Sequence, residues 1–147
     1  MDTVYLGGGT PTLLTGAQIA EILDAVRGSF TLAPDAEITA ECNPVTAADG
    51  MAEELLAAGV NRLSIGLQSI HEKELKLLGR LHTFADFEST FGAARRAGFE
   101  NISADVMFGI PHQTVERYLE TLSRLIALNP EHISAYSLIV EENTPFG

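Results

Sequence analysis

Short runs of β-branched and apolar residues alternate along this chain with longer segments whose apolar positions recur at helical spacing. Five such runs predict β-strands, over Thr3–Leu6, Glu37–Cys42, Arg62–Leu67, Ile102–Phe108 and His132–Leu138. Because a predicted helix separates each strand from the next, the strands should be parallel and joined by right-handed crossovers. The pattern therefore predicts an α/β fold of repeated strand–helix units.

The first, fourth and fifth predicted helices have clear boundaries. The first covers Gly16–Gly28, and Thr15 with Gln18 three residues later forms a capping box at its start. The fourth ends at Gly98 and the fifth stops before Asn129, which precedes a proline. These signals predict where the chain turns back toward the sheet.

The second and third predicted helices are shorter. The second follows Thr46 and ends at Gly59, with Gly50 inside it, where a glycine should weaken the helix by about 0.5–1 kcal/mol relative to alanine. The third follows Ser69, with Glu72 as the partner that completes its cap.

Strand–helix units of this kind build either a doubly wound open sheet or an incomplete barrel in which consecutive strands are neighbours. Parallel α/β folds bind ligands at the carboxyl ends of their strands. Polar or glycine-rich residues stand at each of these ends, namely Gly7-Gly8-Gly9-Thr10-Pro11, Glu41-Cys42-Asn43-Pro44, Gly66-Leu67-Gln68-Ser69, Asp105 and Tyr136-Ser137. In a flat sheet the outer ends would lie far from any one ligand. We therefore predict an incomplete parallel (β/α) barrel.

Three of these strand-end residues are candidates for ligand contacts. Ionised carboxylates rarely enter a core unpaired, so Glu41 should accept hydrogen bonds from ribose hydroxyls or pair with a ligand ammonium group. Asp105 lies among apolar neighbours and needs a partner, for which Arg62 and a ligand are the two alternatives. Gln68 offers both a donor and an acceptor to a neutral polar group.

The triple glycine and the segment after the third helix each have a structural alternative. The missing side chains of Gly7–Gly9 would let a ligand reach the backbone, but a tight turn explains the three glycines equally well. The sequence has neither a dinucleotide-binding fingerprint nor a P-loop there. Arg80 could anchor a ligand carboxylate. Alternatively, Arg80 is solvated and His82 lies on the surface. Cys42 is interpreted as a packing residue, and His132 should hydrogen-bond within the fold.

Composition narrows the classes of function and the compartment. The 147 residues carry a net charge of −11, which argues against a general nucleic-acid or anionic-membrane surface. No apolar run approaches the roughly 18 residues of a membrane span. The single cysteine cannot form an internal disulfide, which favours a reducing compartment, the cytoplasm. Residues 1–147 are interpreted as one domain that is a fragment of a longer protein.

These strings together resemble the radical S-adenosylmethionine family of oxygen-independent coproporphyrinogen III oxidases and their relatives. The resemblance covers nearly the whole chain, through the strings Gly7–Thr12, Glu41–Pro44, Gly59–Ser69, Leu78–His82, Asp105–Pro111 and His132–Leu138. Any one string is weak, but their order and spacing together are specific. The resemblance implies a partial (β/α)6 barrel with S-adenosylmethionine at the strand carboxyl ends.

The resemblance also assigns cofactor-binding residues by motif position. Those implied are Gly8, Gly9, Thr10, Glu41, Gln68, Arg80 and Asp105, with Ser137 and Ile139 near the adenine. The family's 4Fe-4S cluster motif, three cysteines in close spacing, is expected upstream of residue 1, since Cys42 cannot replace it. No catalytic or metal-binding residue is therefore expected within the fragment, which should be inactive by itself.

Two branches of the family differ at these motifs. Oxidases tend to have Glu-Val-Asp-Pro-Arg where this chain has Glu41–Val45, Gln-Asp where it has Gln68-Ser69, and Asn-Arg where it has Gly79-Arg80. The strings here look like the other branch, the HemW-type haem chaperones. The resemblance then implies binding of a tetrapyrrole or haem and delivery to an acceptor protein. The alternative is radical decarboxylation of propionates. A third possibility is a barrel fragment that binds another small molecule. An open barrel leaves strand edges bare, so we expect either a dimer or a segment that covers the edge.

Overall fold

The computed structural model of the chain describes residues 1–44 and 50–139. Within them, five parallel strands form one sheet, ordered as in the sequence. The strands are β1 (Thr3–Leu6), β2 (Glu37–Cys42), β3 (Arg62–Gln68), β4 (Asn101–Phe108) and β5 (His132–Ser137). A doubly wound sheet reverses its strand order at a switch point, and this sheet does not. The predicted incomplete barrel is confirmed.

The helices of the described residues connect successive strands. They are α1 (Gly16–Ser29), α2 (Met51–Ala58), α3 (Glu72–Leu77), α4 (Phe84–Ala97) and α5 (Val115–Ile126). The capping box predicted for α1 is confirmed, because the Thr15 hydroxyl accepts from the Gln18 backbone while the Gln18 side chain accepts from the Thr15 backbone. No helix of the described residues is long and apolar enough to cross a membrane.

Two details of the short helices differ from the prediction. Gly50 is not inside α2 but caps its start, with a φ of +84° that glycine tolerates; Thr46 lies outside the described residues. Ser69 does not pair with Glu72 as a helix cap. Its hydroxyl donates to Glu74 instead, over 2.7 Å, and Glu72 pairs with Lys76.

The hydrophobic core lies between the sheet and the helices. Alternate strand residues point toward the helices and are buried against them, among them Ile38, Leu63, Ile65, Ile102 and Val106. The opposite, concave face of the sheet is polar and carries Tyr5, Glu41, Arg62, Ser64, Ser103, Asp105, His132 and Tyr136. As predicted, His132 bonds within the fold, with its Nδ1 2.8 Å from the Ser103 hydroxyl. The polar face leads to the strand carboxyl ends.

Candidate functional site

One cavity opens at the carboxyl ends of the strands. Its volume is about 210 Å³, and it opens to solvent. It is lined by Gly9, Thr10, Glu41, Cys42, Asn43, Ser64, Gly66, Gln68, Arg80, Asp105 and Tyr136. Residues from all five strands or the loops after them therefore meet at one mouth.

Glu41 is held at this mouth by the end of β1. The Tyr5 hydroxyl donates to Glu41 Oε1 over 2.9 Å, and the backbone N–H of Gly8 donates to Oε2 over 3.2 Å. Burial, followed by the hydrogen bond to Glu41, raises the pKa of Tyr5 to about 12, so the phenol stays a donor at neutral pH. A carboxylate has about four acceptor positions. Glu41 therefore keeps acceptor capacity for a ligand.

Asp105 faces the same cavity and is paired with serine rather than with arginine. The Ser64 hydroxyl lies 3.0 and 3.2 Å from its two carboxylate oxygens. Arg62, the alternative partner, instead donates to Thr39 over 3.2 Å and lies 3.8 Å from Glu37. Burial raises the pKa of Asp105, and hydrogen bonds from Ser64 and Ser134 offset part of that rise. A partly buried carboxylate without a bonded cation is suited to accept hydrogen bonds from a ligand.

The raised pKa of Asp105 predicts that its ionised carboxylate lowers the free energy of unfolding at neutral pH. Because the folded state holds the proton more tightly than the unfolded state, stability falls as pH rises from the unfolded pKa through the folded one. Asp105→Asn should therefore unfold at higher urea concentration than wild type at pH 7, and the difference should shrink toward pH 4. Asp35→Asn, on an exposed turn, is the control. An unchanged or lower midpoint for Asp105→Asn at pH 7 would contradict the prediction.

Gln68 connects the ends of β3 and β5. The Tyr136 hydroxyl donates to Gln68 Oε1 over 2.8 Å, and burial raises the pKa of Tyr136, so the phenol remains protonated. Gln68 has a φ of +65°, a conformation that non-glycine residues rarely adopt. Backbone strain of this kind is concentrated at ligand-binding and active sites. Its amide group is thus fixed beside the cavity.

Arg80 and His82 follow α3 but lie in different environments. Arg80 is half-buried, lines the cavity, and makes no ion pair with a described residue. The surface alternative for His82 is wrong, because its side chain is buried, with 3% of the residue exposed, and its Nε2 lies 3.1 Å from the Leu67 carbonyl oxygen. Burial lowers the pKa of His82, which keeps the ring neutral at pH 7.

The structure gathers most, but not all, of the predicted site residues. Gly9, Thr10, Glu41, Gln68, Arg80 and Asp105 line the cavity together. Gly8 contributes its N–H to Glu41 but borders a separate apolar groove with Leu6 and Ile22. Ser137 and Ile139 follow Tyr136 but are exposed and are not among the described residues that line this cavity.

The sequence analysis did not identify Ser64, and it placed Tyr136 at a strand end without giving it a contact, although both hydrogen-bond to selected residues. The alternation of β3 puts Arg62, Ser64 and Gly66 on one face. That signal could have identified Ser64 as a neighbour of Asp105.

The polar lining of the cavity suits a polar ligand and does not suit a metal cluster. Cys42 is the only cysteine of the sequence. Burial raises the pKa of its thiol to about 12, as suits a packing residue rather than a thiolate ligand. No group of three or more His, Cys, Asp or Glu side chains in residues 1–44 and 50–139 could hold a metal ion.

Known proteins are similar to this chain in sequence and in fold. The family model described as the radical SAM superfamily matches residues 1–125. The heme chaperone HemW of Escherichia coli (strain K12) is 44% identical over 147 residues, which are 100% of this chain and 39% of that protein. The mitochondrial radical S-adenosyl methionine domain-containing protein 1 of Mus musculus is 42% identical over 98% of this chain and 33% of its own length.

A solved structure described as the coproporphyrinogen III oxidase HemN from Escherichia coli, a radical SAM enzyme, has the same fold. It matches with a TM-score of 0.85 and 33% identity, over 95% of this chain and 32% of that chain. The chain thus spans well under half the length of the proteins it resembles.

Proposed function

Because this chain belongs to the radical SAM superfamily, we propose that the cavity at the strand carboxyl ends binds S-adenosylmethionine. The single observation that supports this most directly is the meeting of Glu41, Gln68, Arg80 and Asp105 around one cavity. The family's cofactors, S-adenosylmethionine and a 4Fe-4S cluster, agree with those predicted from the sequence. Cys42 alone cannot ligate a cluster, so we assign only the S-adenosylmethionine contacts to this chain.

The polar groups of the cavity match the chemistry of S-adenosylmethionine. That molecule carries ribose hydroxyls and an ammonium group, which donate, and a carboxylate, which accepts. Glu41 and Asp105 supply acceptors, and their negative charge also favours the positive sulfonium centre. Arg80 supplies a planar guanidinium that pairs well with a carboxylate, and Gln68 supplies both a donor and an acceptor.

The glycine turn and the end of β5 complete the proposed contacts. Gly9 and Thr10 lie at the cavity wall, where missing or small side chains let the methionine end approach the backbone. Gly8 acts through Glu41, to which its N–H donates. Ser137 and Ile139 follow Tyr136, and we propose that they lie beside the adenine once the cofactor is bound.

The chain's own residues bind and orient the cofactor. When S-adenosylmethionine and the cluster are both bound in the intact protein, they supply one-electron chemistry at the sulfonium centre. Tyr5 and Gly8 hold the Glu41 carboxylate, Ser64 holds the Asp105 carboxylate, and Tyr136 holds the Gln68 amide. Three hydrogen-bonded side chains are therefore preorganised at one mouth, which lowers the cost of binding.

Binding of S-adenosylmethionine to the intact protein that contains this chain tests the proposal. Glu41→Gln removes the negative charge and should raise the dissociation constant by about tenfold, because hydrogen bonds to charged groups contribute roughly 1.5–3 kcal/mol. Glu88→Gln, the same change on the exposed face of α4, should bind as wild type does. Isothermal titration calorimetry measures both. Equal affinity for wild type and Glu41→Gln would contradict the proposed site.

We further propose that the intact protein is a haem chaperone that delivers haem to an acceptor protein. The support is 44% identity to the heme chaperone HemW of Escherichia coli over the whole chain, together with Gln68-Ser69 and Gly79-Arg80 at the branch-specific motifs. The alternative, an oxygen-independent coproporphyrinogen III oxidase, is supported by the fold and identity shared with HemN. A cytoplasmic location and a dimer belong to the same proposal.

Incubating the intact, cluster-loaded protein separately with haem and with coproporphyrinogen III, the latter together with S-adenosylmethionine and an electron donor, distinguishes these two functions. Transfer of haem to an apo-protein without decarboxylated product supports the chaperone. Release of carbon dioxide and formation of vinyl groups would overturn it in favour of the oxidase.

A further inference from the structure

We propose that His82 is a positioning residue for this cavity, which acts by holding the strained backbone turn at Gln68. The proposal rests on the proposed function, since its consequence is a change in S-adenosylmethionine binding. His82 itself does not line the cavity among the described residues. It contacts the carbonyl oxygen of Leu67, the residue before Gln68, and the Gln68 side chain lines the cavity.

The turn at Gln68 folds the backbone back within three residues. The N–H of Ser69 donates to the Leu67 carbonyl over 2.9 Å, and Gln68 between them has a φ of +65°. The pairing register of β3 with β4 also shifts between Gly66 and Gln68. A non-glycine residue keeps such a conformation only where the surrounding structure holds it.

His82 supplies one half of that support. Its Nε2 lies 3.1 Å from the same Leu67 carbonyl oxygen that accepts from Ser69, so this oxygen accepts one hydrogen bond from within the turn and one from His82. Since a carbonyl only accepts, the ring proton belongs on Nε2. The bond also ties the segment that carries Arg80 to the end of β3, because Arg80 precedes His82 by two residues.

A buried carboxylate supplies the other half. The Ser69 hydroxyl donates to Glu74 Oε2 over 2.7 Å and accepts from the His71 N–H over 3.0 Å. The Gln113 side chain donates to the same Glu74 oxygen over 3.0 Å. Leu67 and Ser69, the residues on either side of Gln68, are therefore each fixed by a side chain from another part of the chain.

Packing does not account for a histidine at this position. Nδ1 of His82 is buried and has no hydrogen-bond partner among the described residues. Burying an unpaired polar atom costs free energy that an apolar side chain of similar volume would avoid. The donor at Nε2 is the property that an apolar residue lacks, and its only acceptor in the described part of the chain is the Leu67 carbonyl.

Substitutions at His82 test whether this donor controls ligand binding. His82→Leu keeps the volume and removes the donor, so Gln68 is free to leave its strained conformation and its bond with Tyr136. S-adenosylmethionine should then bind the intact protein about tenfold more weakly. His82→Gln, whose amide can still donate to Leu67, should restore most of the affinity. His82→Asn, whose side chain is shorter, should not, and it replaces His82→Leu as the test if that variant does not fold.

A double-mutant cycle with Gln68→Ala separates positioning from a general structural role. If His82 acts through Gln68, His82→Leu should weaken binding in the wild-type background and have little further effect in the Gln68→Ala background. Hydrogen exchange of the segment 66–72 should accelerate in His82→Leu and return toward wild type in His82→Gln. Additive losses of affinity in the cycle, or unchanged exchange, would overturn the proposal.

Failure of the proposed function has a different signature. In that case wild type does not bind S-adenosylmethionine, or Glu41→Gln binds as tightly as wild type. If wild type and Glu41→Gln behave as expected while His82→Leu binds as wild type does, only the role of His82 is overturned.

Discussion

Replacing Phe87 with alanine should lower the free energy of unfolding by about 3–5 kcal/mol. Phe87 is fully buried, at 0% exposure, in the core that α4 forms with the sheet, and it contacts Phe84 and Phe91 at ring-centroid distances of 6.2 and 6.0 Å. Truncation removes most of a large side chain and leaves a cavity that close-packed neighbours cannot fill. Urea unfolding followed by circular dichroism measures the change.

Phe30→Ala is the matched control for this substitution. Phe30 follows α1 and is 55% exposed, so the same truncation removes much less buried surface. Its effect should stay below about 1 kcal/mol. Similar losses for Phe30→Ala and Phe87→Ala would contradict the assignment of the core to the space between sheet and helices.

The fold could be predicted because its signals are local. Each strand is a short β-rich run, each helix has apolar spacing and a cap, and the strand–helix alternation requires parallel pairing. The predicted strand bounds agree with the structure to within one residue at each end, as in Arg62–Leu67 against Arg62–Gln68. The polar strand ends then distinguished a barrel from a flat sheet.

The family, and the likeness to its HemW-type branch, could also be read from the strings at the strand ends. The match to the radical SAM superfamily and the identities of 44% and 40% to HemW chaperones of Escherichia coli and Bacillus subtilis confirm that resemblance. The order and spacing of the strings carried the information, since none of them is specific by itself.

The pairings within the site could not be predicted in the same way. Gln68 and Tyr136 are 68 residues apart, and their contact depends on the curvature of the sheet and on the register shift in β3. The partner of Asp105 depended on the strand register, since Asp105 lies opposite Gly66 and bonds to Ser64, whereas Arg62 lies opposite Asn101 and bonds to Thr39. Long-range geometry of this kind has no signature in local periodicity.

Helix ends and short loops account for the remaining errors. His82 follows a six-residue helix, and nothing in Gly79–His82 signals that the ring turns under the end of β3. Ser69 and Glu72 have the spacing of a helix cap, but Glu74 is the buried carboxylate that receives the Ser69 hydroxyl. When two carboxylates lie at similar spacing from a hydroxyl, only the folded structure determines which of them accepts its hydrogen bond.

Gly7→Ala should weaken S-adenosylmethionine binding by the intact protein about tenfold to a hundredfold, with little loss of stability. A Cβ at Gly7 would lie 2.7 Å from Tyr5 Cε1 and 2.9 Å from both Cδ and Oε1 of Glu41. Both contacts are with the outer ends of side chains, so these can move and the backbone need not. This movement breaks the hydrogen bond between Tyr5 and Glu41 and displaces a carboxylate that is proposed to contact the ligand. Losing hydrogen bonds to a charged group should cost about 1.5–3 kcal/mol of binding free energy.

Gly28→Ala is the control for a methyl group added elsewhere. Gly28 lies near the end of α1, has no heavy atom within 4 Å of the added Cβ, and does not adopt a positive φ. Alanine there should leave binding unchanged and stabilise the fold by about 0.4–1 kcal/mol. Calorimetric titration and thermal unfolding of both variants separate the two effects. If Gly7→Ala bound S-adenosylmethionine as wild type does, the Glu41 carboxylate would not be a ligand contact, and the cavity would have to hold the cofactor through its other polar groups.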